Sequence, residues 1–368
     1  MKTKIANTSL SNIPEAVQHL AKEIGDADAK VILYFASSKF DPAGLAKAMA
    51  AAFPKVATIG CTTAGEISTG RMSEGTISAM SLGGELVKRC EARLLPGLGA
   101  DARGAVTSAF ADLSKAIGKP VADLDPGRYV GLVLADGLAG AEEQLMEAIG
   151  DRTNVTFVGG SAGDDLKFQR THVFLGAEAT SDAALLVIIE AAVPFQIVKT
   201  QSFQALPQRL IATKVDSAKR KVMEFNGEPA AVAYAKALDV PLADLSGKFM
   251  SNPLGLLAGE EIFVRSPQRI EGDSVYFYCQ ILEGMEMALL TATDIVTDTR
   301  KALATVPDAA AIIDFHCILR TLELRQKGQC AAYGSVFGKI PSIGFSTYGE
   351  EYIGHINQTS TMLVFRTA

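Results

Sequence analysis

Several signatures are missing from this chain. It has no CxxC pair, no HExxH, and neither of the glycine-rich loops that cradle phosphates. The Gly-rich stretch "GLVLADGLAG" has the spacing of neither GxxxxGK[ST] nor GxGxxG. Zinc-finger, zincin, P-loop and dinucleotide-fold readings therefore have no support. The five cysteines (Cys61, Cys90, Cys279, Cys317, Cys330) are odd in number and form no short disulfide framework, which fits reduced thiols. Four histidines show no zinc-ligand spacing. Basic residues number 35 against 41 acidic ones, for a net charge of -6. The densest basic run is only Lys219-Arg220-Lys221, so nothing resembles a phosphate-neutralising stripe and a nucleic-acid partner is not expected. Long hydrophobic runs are also lacking. "AALLVIIEAAVPF" is broken by Glu190, and the N-terminus has no signal-peptide core. The expectation is a soluble, cytoplasmic protein with no membrane insertion.

What is present is length, a core and a repeat. The 368 residues suggest two domains, and 48% hydrophobic content suffices for a sizeable core. Three segments look alike: "TIGCTTAGE" ending at Glu66, "TFVGGSAGD" ending at Asp164 and "SIGFSTYGE" ending at Glu350. Aligned on their last glycine, they superpose the hydroxyls of Thr63, Ser161 and Thr347 and the acids Glu66, Asp164 and Glu350. Each segment closes a strand–helix–strand pattern. "VILYFASS", a helix opened by Asp41-Pro42 and "KVATIG" form the first. "YVGLVLADG", "AGAEEQLMEAIG" and "VTFVGG" form the second. "AAIIDFHCILR", the largely helical "TLELRQKGQCAAYGSVFG" and "IPSIGFS" form the third. Such crossovers make parallel, right-handed pairs, and ligands of α/β sheets collect at the carboxyl ends of their strands.

Strand-rich stretches lie between the repeats, with hairpin turns at Asn226-Gly227 and Gly272-Asp273. The fold class expected is α/β (mixed α+β): two mixed-sheet domains, 1–205 and 206–368, carrying repeated strand–helix–strand units that end in Gly/Thr-rich loops.

The candidate chemistry leaves alternatives open. "GGSAG" matches the G-x-S-x-G nucleophile elbow at Ser161, but the sequence after it lacks helical periodicity. Gly160 also suits a close backbone approach. Cys61 is either a buried thiol at a strand end or a nucleophile with no local histidine. Glu66, Asp164 and Glu350 either accept free N–H groups of their turns or receive donor groups of a ligand, such as an amine. Arg320 is either an exposed charge at a helix start or a bidentate partner for a carboxylate, which with Glu66 or Glu350 on an amine would suit an amino acid-like ligand. His316 and His355 either fill polar structural roles or face the same pocket.

"GCTTAGEI", "VGGSAGDD", "EFNGEPAAVAYAKAL", "NPLGL" and "GFSTYGEEYIGHINQT" together resemble the FIST N-terminal and C-terminal domains, over nearly the whole chain and in the expected order. The resemblance implies a non-enzymatic sensory role for small ligands. The family's partners in bacteria are histidine kinases, cyclic-dinucleotide enzymes or chemoreceptors. The chain ends at the FIST segment, so signalling in trans is expected. The pocket would be lined by Cys61, Thr62, Thr63, Glu66, Gly160, Ser161, Asp164, His316, Arg320, Ser346, Thr347, Glu350, His355 and Asn357. "FHCILRTLE" is further similar to stand-alone members that bind haem non-covalently and sense nitric oxide. Under that resemblance His316 or His355, or more weakly Cys317, would be the axial ligand and Arg320 would meet a propionate.

Overall fold

The computed structural model describes residues 3–25 and 28–367. The chain forms two compact units. One contains Met1–Lys199, Arg300–His355 and Ser360–Ala368; the other contains Thr200–Thr299 and Ile356–Thr359. Residue 205 lies in the long strand Phe203–Asp216, and most of the chain beyond residue 300 belongs to the first unit.

The first unit holds three six-stranded mixed sheets with one common strand order. In each, a leading strand pairs in parallel with the closing strand that follows its helix. The pairs are Ala29–Ser37 with Ala57–Thr63, Tyr129–Ala135 with Phe157–Ser161, and Ala309–Cys317 with Ser342–Thr347. An antiparallel strand flanks each leading strand: Ile77–Gly83, Ala183–Ala191 and Thr359–Arg366.

The other flank is exchanged cyclically. The chain leaving the first closing strand supplies Glu66–Ser68 to the third sheet. The chain leaving the third supplies Glu350–Tyr352 to the second. The chain leaving the second supplies Val173–Leu175 to the first. The three repeats are thus interlocked around a pseudo-threefold arrangement.

Local sequence explains the layers. In Ala29–Ser37, Val31, Leu33 and Phe35 face a core cluster shared by all three sheets, while Ile32, Tyr34 and Ala36 face the helices. Apolar residues on both faces are what a strand buried on both sides requires. Phe345 of the third sheet meets Phe35 of the first, with ring centroids 4.5 Å apart, and packs edge-on against Phe315 of its own sheet at 5.9 Å. The first crossover helix, Pro42–Ala52, starts where expected, with Asp41 accepting the Gly44 N–H at 2.8 Å and Pro42 at its first turn. The third crossover is helical over Ile318–Gln326 and Cys330–Gly334.

The second unit is a sheet built on Phe203–Asp216 and Glu286–Ala292, with the helix Ala230–Leu238 packed on it. Its expected hairpin at Gly272-Asp273 joins Pro267–Glu271 to Ser274–Phe277. Among the described residues no helix is long and apolar enough to cross a membrane.

Candidate functional site

The three Gly/Thr-rich loops meet at the carboxyl ends of the parallel strands. Their backbones are stitched pairwise. Ser346 N donates to Gly65 O at 2.8 Å, Ser161 N to Gly349 O at 2.8 Å, and Gly163 N to Thr62 O at 3.0 Å. Cys61, Thr62, Thr63, Glu66, Gly160, Ser161, Asp164, Ser346, Thr347 and Glu350 are therefore brought together, all buried. Asn357 lies in the other compact unit, where its Nδ2 donates to the Ile356 carbonyl.

Their register differs from the alignment on the last glycine. Gly60, Gly159 and Gly344 each sit opposite the leading strand where a Cβ would strike a carbonyl oxygen: 1.7 Å from Tyr34, 1.7 Å from Val133 and 2.2 Å from Asp314. With these glycines matched, Thr62, Ser161 and Ser346 become equivalent, opposite Ala36, Ala135 and His316. Thr63 and Thr347 then correspond to Ala162, not to Ser161. The last glycine misaligns the second copy because Gly163 follows Gly159 one position sooner than Gly65 follows Gly60 or Gly349 follows Gly344.

Thr63 and Glu66 form one pair, Thr347 and Glu350 its counterpart. The Thr63 hydroxyl donates to Glu66 Oε1, and Thr347 Oγ1 donates to Glu350 Oε1 at 2.5 Å. Glu66 Oε2 also accepts from Thr76 N at 2.9 Å and Thr76 Oγ1 at 2.6 Å. Burial outweighs these bonds and pushes the Glu66 carboxyl up to about 7. Gly160 leaves room for its neighbour, since a Cβ there would lie 2.3 Å from Thr347 Cγ2.

Asp164 is an anchor of its own loop. It accepts N–H groups from Phe168 at 2.8 Å, Gln169 at 2.7 Å and Arg170 at 2.9 Å, and the Tyr348 hydroxyl at 2.6 Å. Burial would raise its carboxyl; the Tyr348 hydroxyl and the three N–H groups prevail and hold it below the ordinary value. Asp165, Leu166 and Phe168 in this loop take left-handed backbone, at φ 55, 64 and 52°.

No helix follows Ser161, so the nucleophile-elbow geometry is absent there. Ser161 Oγ donates to Glu351 Oε1 at 2.8 Å, with Glu142 Oε1 at 3.4 Å. His355 lies beyond that acid, with Nδ1 3.7 Å from Glu351 Oε1. The carboxylate thus stands between hydroxyl and imidazole, the reverse of the order that activates a serine. Glu351 Oε2 is buried with no hydrogen-bond partner. Burial pushes the Cys61 thiol well up, reinforced by Glu351 and Glu66, so it stays protonated and unreactive.

The third repeat carries a further polar group on the helix-facing side of its leading strand. Where the other repeats place Tyr34 and Ala36 or Val133 and Ala135, it places Asp314 and His316. Asp314 accepts from Ser360 Oγ at 2.6 Å and Tyr333 OH at 2.9 Å. The Tyr333 oxygen is 2.9 Å from His316 Nδ1. With the Tyr333 proton directed to Asp314, His316 would carry its own proton on Nδ1 and present a lone pair at Nε2. That Nε2 is buried with no hydrogen-bond partner among the described residues. Burial, aided by Arg320, holds His316 well below the ordinary imidazole value. Burial raises Asp314 to about 6.

Arg320 is 1% exposed, so it is not the solvated helix-start charge the sequence allowed. Ser346 Oγ lies 2.7 Å from Thr321 Oγ1 on the same side. Sequence reasoning missed Glu142, Glu351, Asp314 and Tyr333. Asp314 was legible as an acid inside an otherwise apolar strand; Tyr333 carried no signal.

A haem needs an apolar slot open beside its axial ligand. His316 is fully enclosed, among Asp314, Ser360 and a Tyr333 ring 4.4 Å away. His355 presses on Gly349, where a Cβ would lie 2.1 Å from its Cε1. Cys317 is buried as well. In this arrangement the candidate ligands do not fit a porphyrin. Among the described residues no group of three or more His, Cys, Asp or Glu is placed to hold a metal ion.

Comparison with known proteins places this geometry. Residues 30–228 match the FIST N domain and residues 230–352 the FIST C domain. Uncharacterized protein MJ1623 of Methanocaldococcus jannaschii is 21% identical over 204 residues, covering 51% of this chain and 38% of that protein. The chain thus matches well under half the length of this relative.

Proposed function

Because this chain belongs to the FIST family, whose domains are signal-transduction sensory domains, we propose that it is a small-ligand sensory module acting in trans on a partner. That partner would be a histidine kinase, a cyclic-dinucleotide enzyme or a chemoreceptor. The observation that carries the reading is the unpartnered Nε2 of His316. A buried acceptor without a donor costs about 1–3 kcal/mol. The other two repeats avoid that cost with apolar residues at the equivalent positions. A ligand N–H or O–H that reached Nε2 through an opening of this enclosed site would remove it in the bound state only. A group that favours one of two conformations in this way is what a sensor needs.

The test is to denature purified protein, recover the small-molecule supernatant for absorption and mass spectra, and return it to refolded protein. The supernatant should raise the melting temperature of the wild type and not of His316→Leu. Equal shifts in both would remove His316 from the site. The Ser161 or Cys61 hydrolase reading has the weaker support, given a serine bonded to an acid and a protonated thiol. The finer reading, a haem-based nitric-oxide sensor, requires the His316 or His355 surroundings to open. Failure of the purified protein to take up stoichiometric haem, judged by a Soret band, would end it.

A further inference from the structure

Away from the loops, the first compact unit has an open groove of about 560 Å³ beside the strand Lys4–Thr8. That volume lies within the range of small-ligand sites. Lys4–Thr8 is the terminal strand of its sheet, so its outward backbone groups are not used by that sheet. Arg71 and Lys339 also line it, with His19 and Glu23 from the helix Ile13–Ile24. Arg71 and Lys339 are exposed, and neither has an ion-pair partner among the described residues. The Arg71 backbone is pinned by Gly334, where a Cβ would lie 2.7 Å from the Arg71 Cα, so the guanidinium rises from a fixed base. The Thr3 hydroxyl, also in the lining, is buried without a hydrogen-bond partner among the described residues.

Two unpaired cations against one carboxylate make the groove locally positive in a chain whose net charge is -6. A guanidinium fork, a separate ammonium and an unused hydroxyl together suit an anion with several oxygens, which a single carboxylate does not supply. We infer that this groove binds a small organic phosphate of about mononucleotide size, at a site independent of the buried third-repeat network. A bounded groove, without a basic stripe, does not track a nucleic-acid backbone.

The test is isothermal titration of the full chain with AMP, pyrophosphate and, as a dicarboxylate, succinate, at low and moderate salt. AMP or pyrophosphate should bind saturably at one site, more weakly as salt rises, with affinity at least tenfold lower in both Arg71→Ala and Lys339→Ala. Both side chains are exposed, so unchanged urea midpoints are expected to show that the variants fold. Three results would each overturn the inference: no saturable phosphate binding at millimolar concentration, equal affinity in wild type and variants, or succinate binding as tightly as the phosphates. His316→Leu should leave this titration unchanged, which separates its failure from failure of the sensory reading.

Discussion

The Thr63 hydroxyl donates to the carboxylate of Glu66 three residues later, and Thr347 repeats that contact with Glu350. Both pairs turn the chain from a closing strand into the strand donated to the next sheet. The second repeat has Ala162 at this position, and its longer loop is held by Asp164. The first and third repeats thus share one solution and the second has its own.

The shared contact should matter to stability. Thr63→Val and Thr347→Val keep the side-chain shape and delete the donor, leaving a buried carboxylate oxygen short of a partner. Each carboxylate then has one buried donor fewer, which should lower unfolding free energy by about 1–3 kcal/mol, read from urea denaturation. A change below about 0.5 kcal/mol in both threonine variants would show that the pairs are incidental.

The register glycines make a sharper claim. At Gly60 and Gly159 a Cβ would sit 1.7 Å from the opposing carbonyl oxygen. Backbone must move to admit it, in the middle of a parallel pair. Gly60→Ala and Gly159→Ala should therefore destabilise by more than about 3 kcal/mol, the range of severe core disruptions, or prevent folding. Gly150→Ala is the control, because nothing lies within 4 Å of the Cβ it would add. Soluble yield and melting temperature distinguish the two classes. Normal melting of the Gly60 variant would refute the register assigned here.

These glycines also show how far the sequence could be read. The triplication, the mixed α/β class and the meeting of the three loops follow from strand–helix–strand spacing and small residues. The alignment failed by one position in the second copy. The eye matches the glycine before an acid, whereas the fold matches the glycine that a carbonyl oxygen presses on. The cyclic exchange of Glu66–Ser68, Val173–Leu175 and Glu350–Tyr352 was not legible, because three-residue strands have too little periodicity to point to a partner sheet. The meeting of His316 with Tyr333, 17 residues away, depends on where a short helix settles, which no local pattern records.

Glu66 gives a pH dependence of definite sign. Its folded carboxyl titrates at about 7 against an ordinary 4.5. Between those values the folded protein holds a proton that the unfolded chain has lost. Stability therefore falls as pH rises through that window, with no contribution below it and a constant penalty above it. A shift of that size corresponds to about 3 kcal/mol. Glu66→Gln removes the titration while keeping an oxygen for Thr76. Urea midpoints at pH 5 and pH 8 should differ less in the variant than in the wild type. Equal differences would mean that Glu66 does not titrate in this range.

His316 offers a measurement of protonation in place. Tyr333 is bonded to both His316 and Asp314, and its single proton can serve only one of them. If it serves Asp314, the imidazole must donate from Nδ1. The imidazole should then be neutral near pH 7, since burial holds its pKa well below the ordinary 6.5. Nitrogen-detected correlation spectra of histidine-labelled protein should show one ring with a protonated Nδ1 and a bare Nε2, unchanged from pH 8 to pH 6. Tyr333→Phe removes the group that fixes the tautomer, and both tautomers should then be populated. The variant should also lose about 1–3 kcal/mol, because Asp314 Oδ2 loses its donor. A ligand that donates to Nε2 should move the Nε2 resonance in wild type and leave Nδ1 protonated. An Nε2–H tautomer in the wild-type protein would reverse the Tyr333 proton assignment and leave His316 with no lone pair to offer a ligand donor.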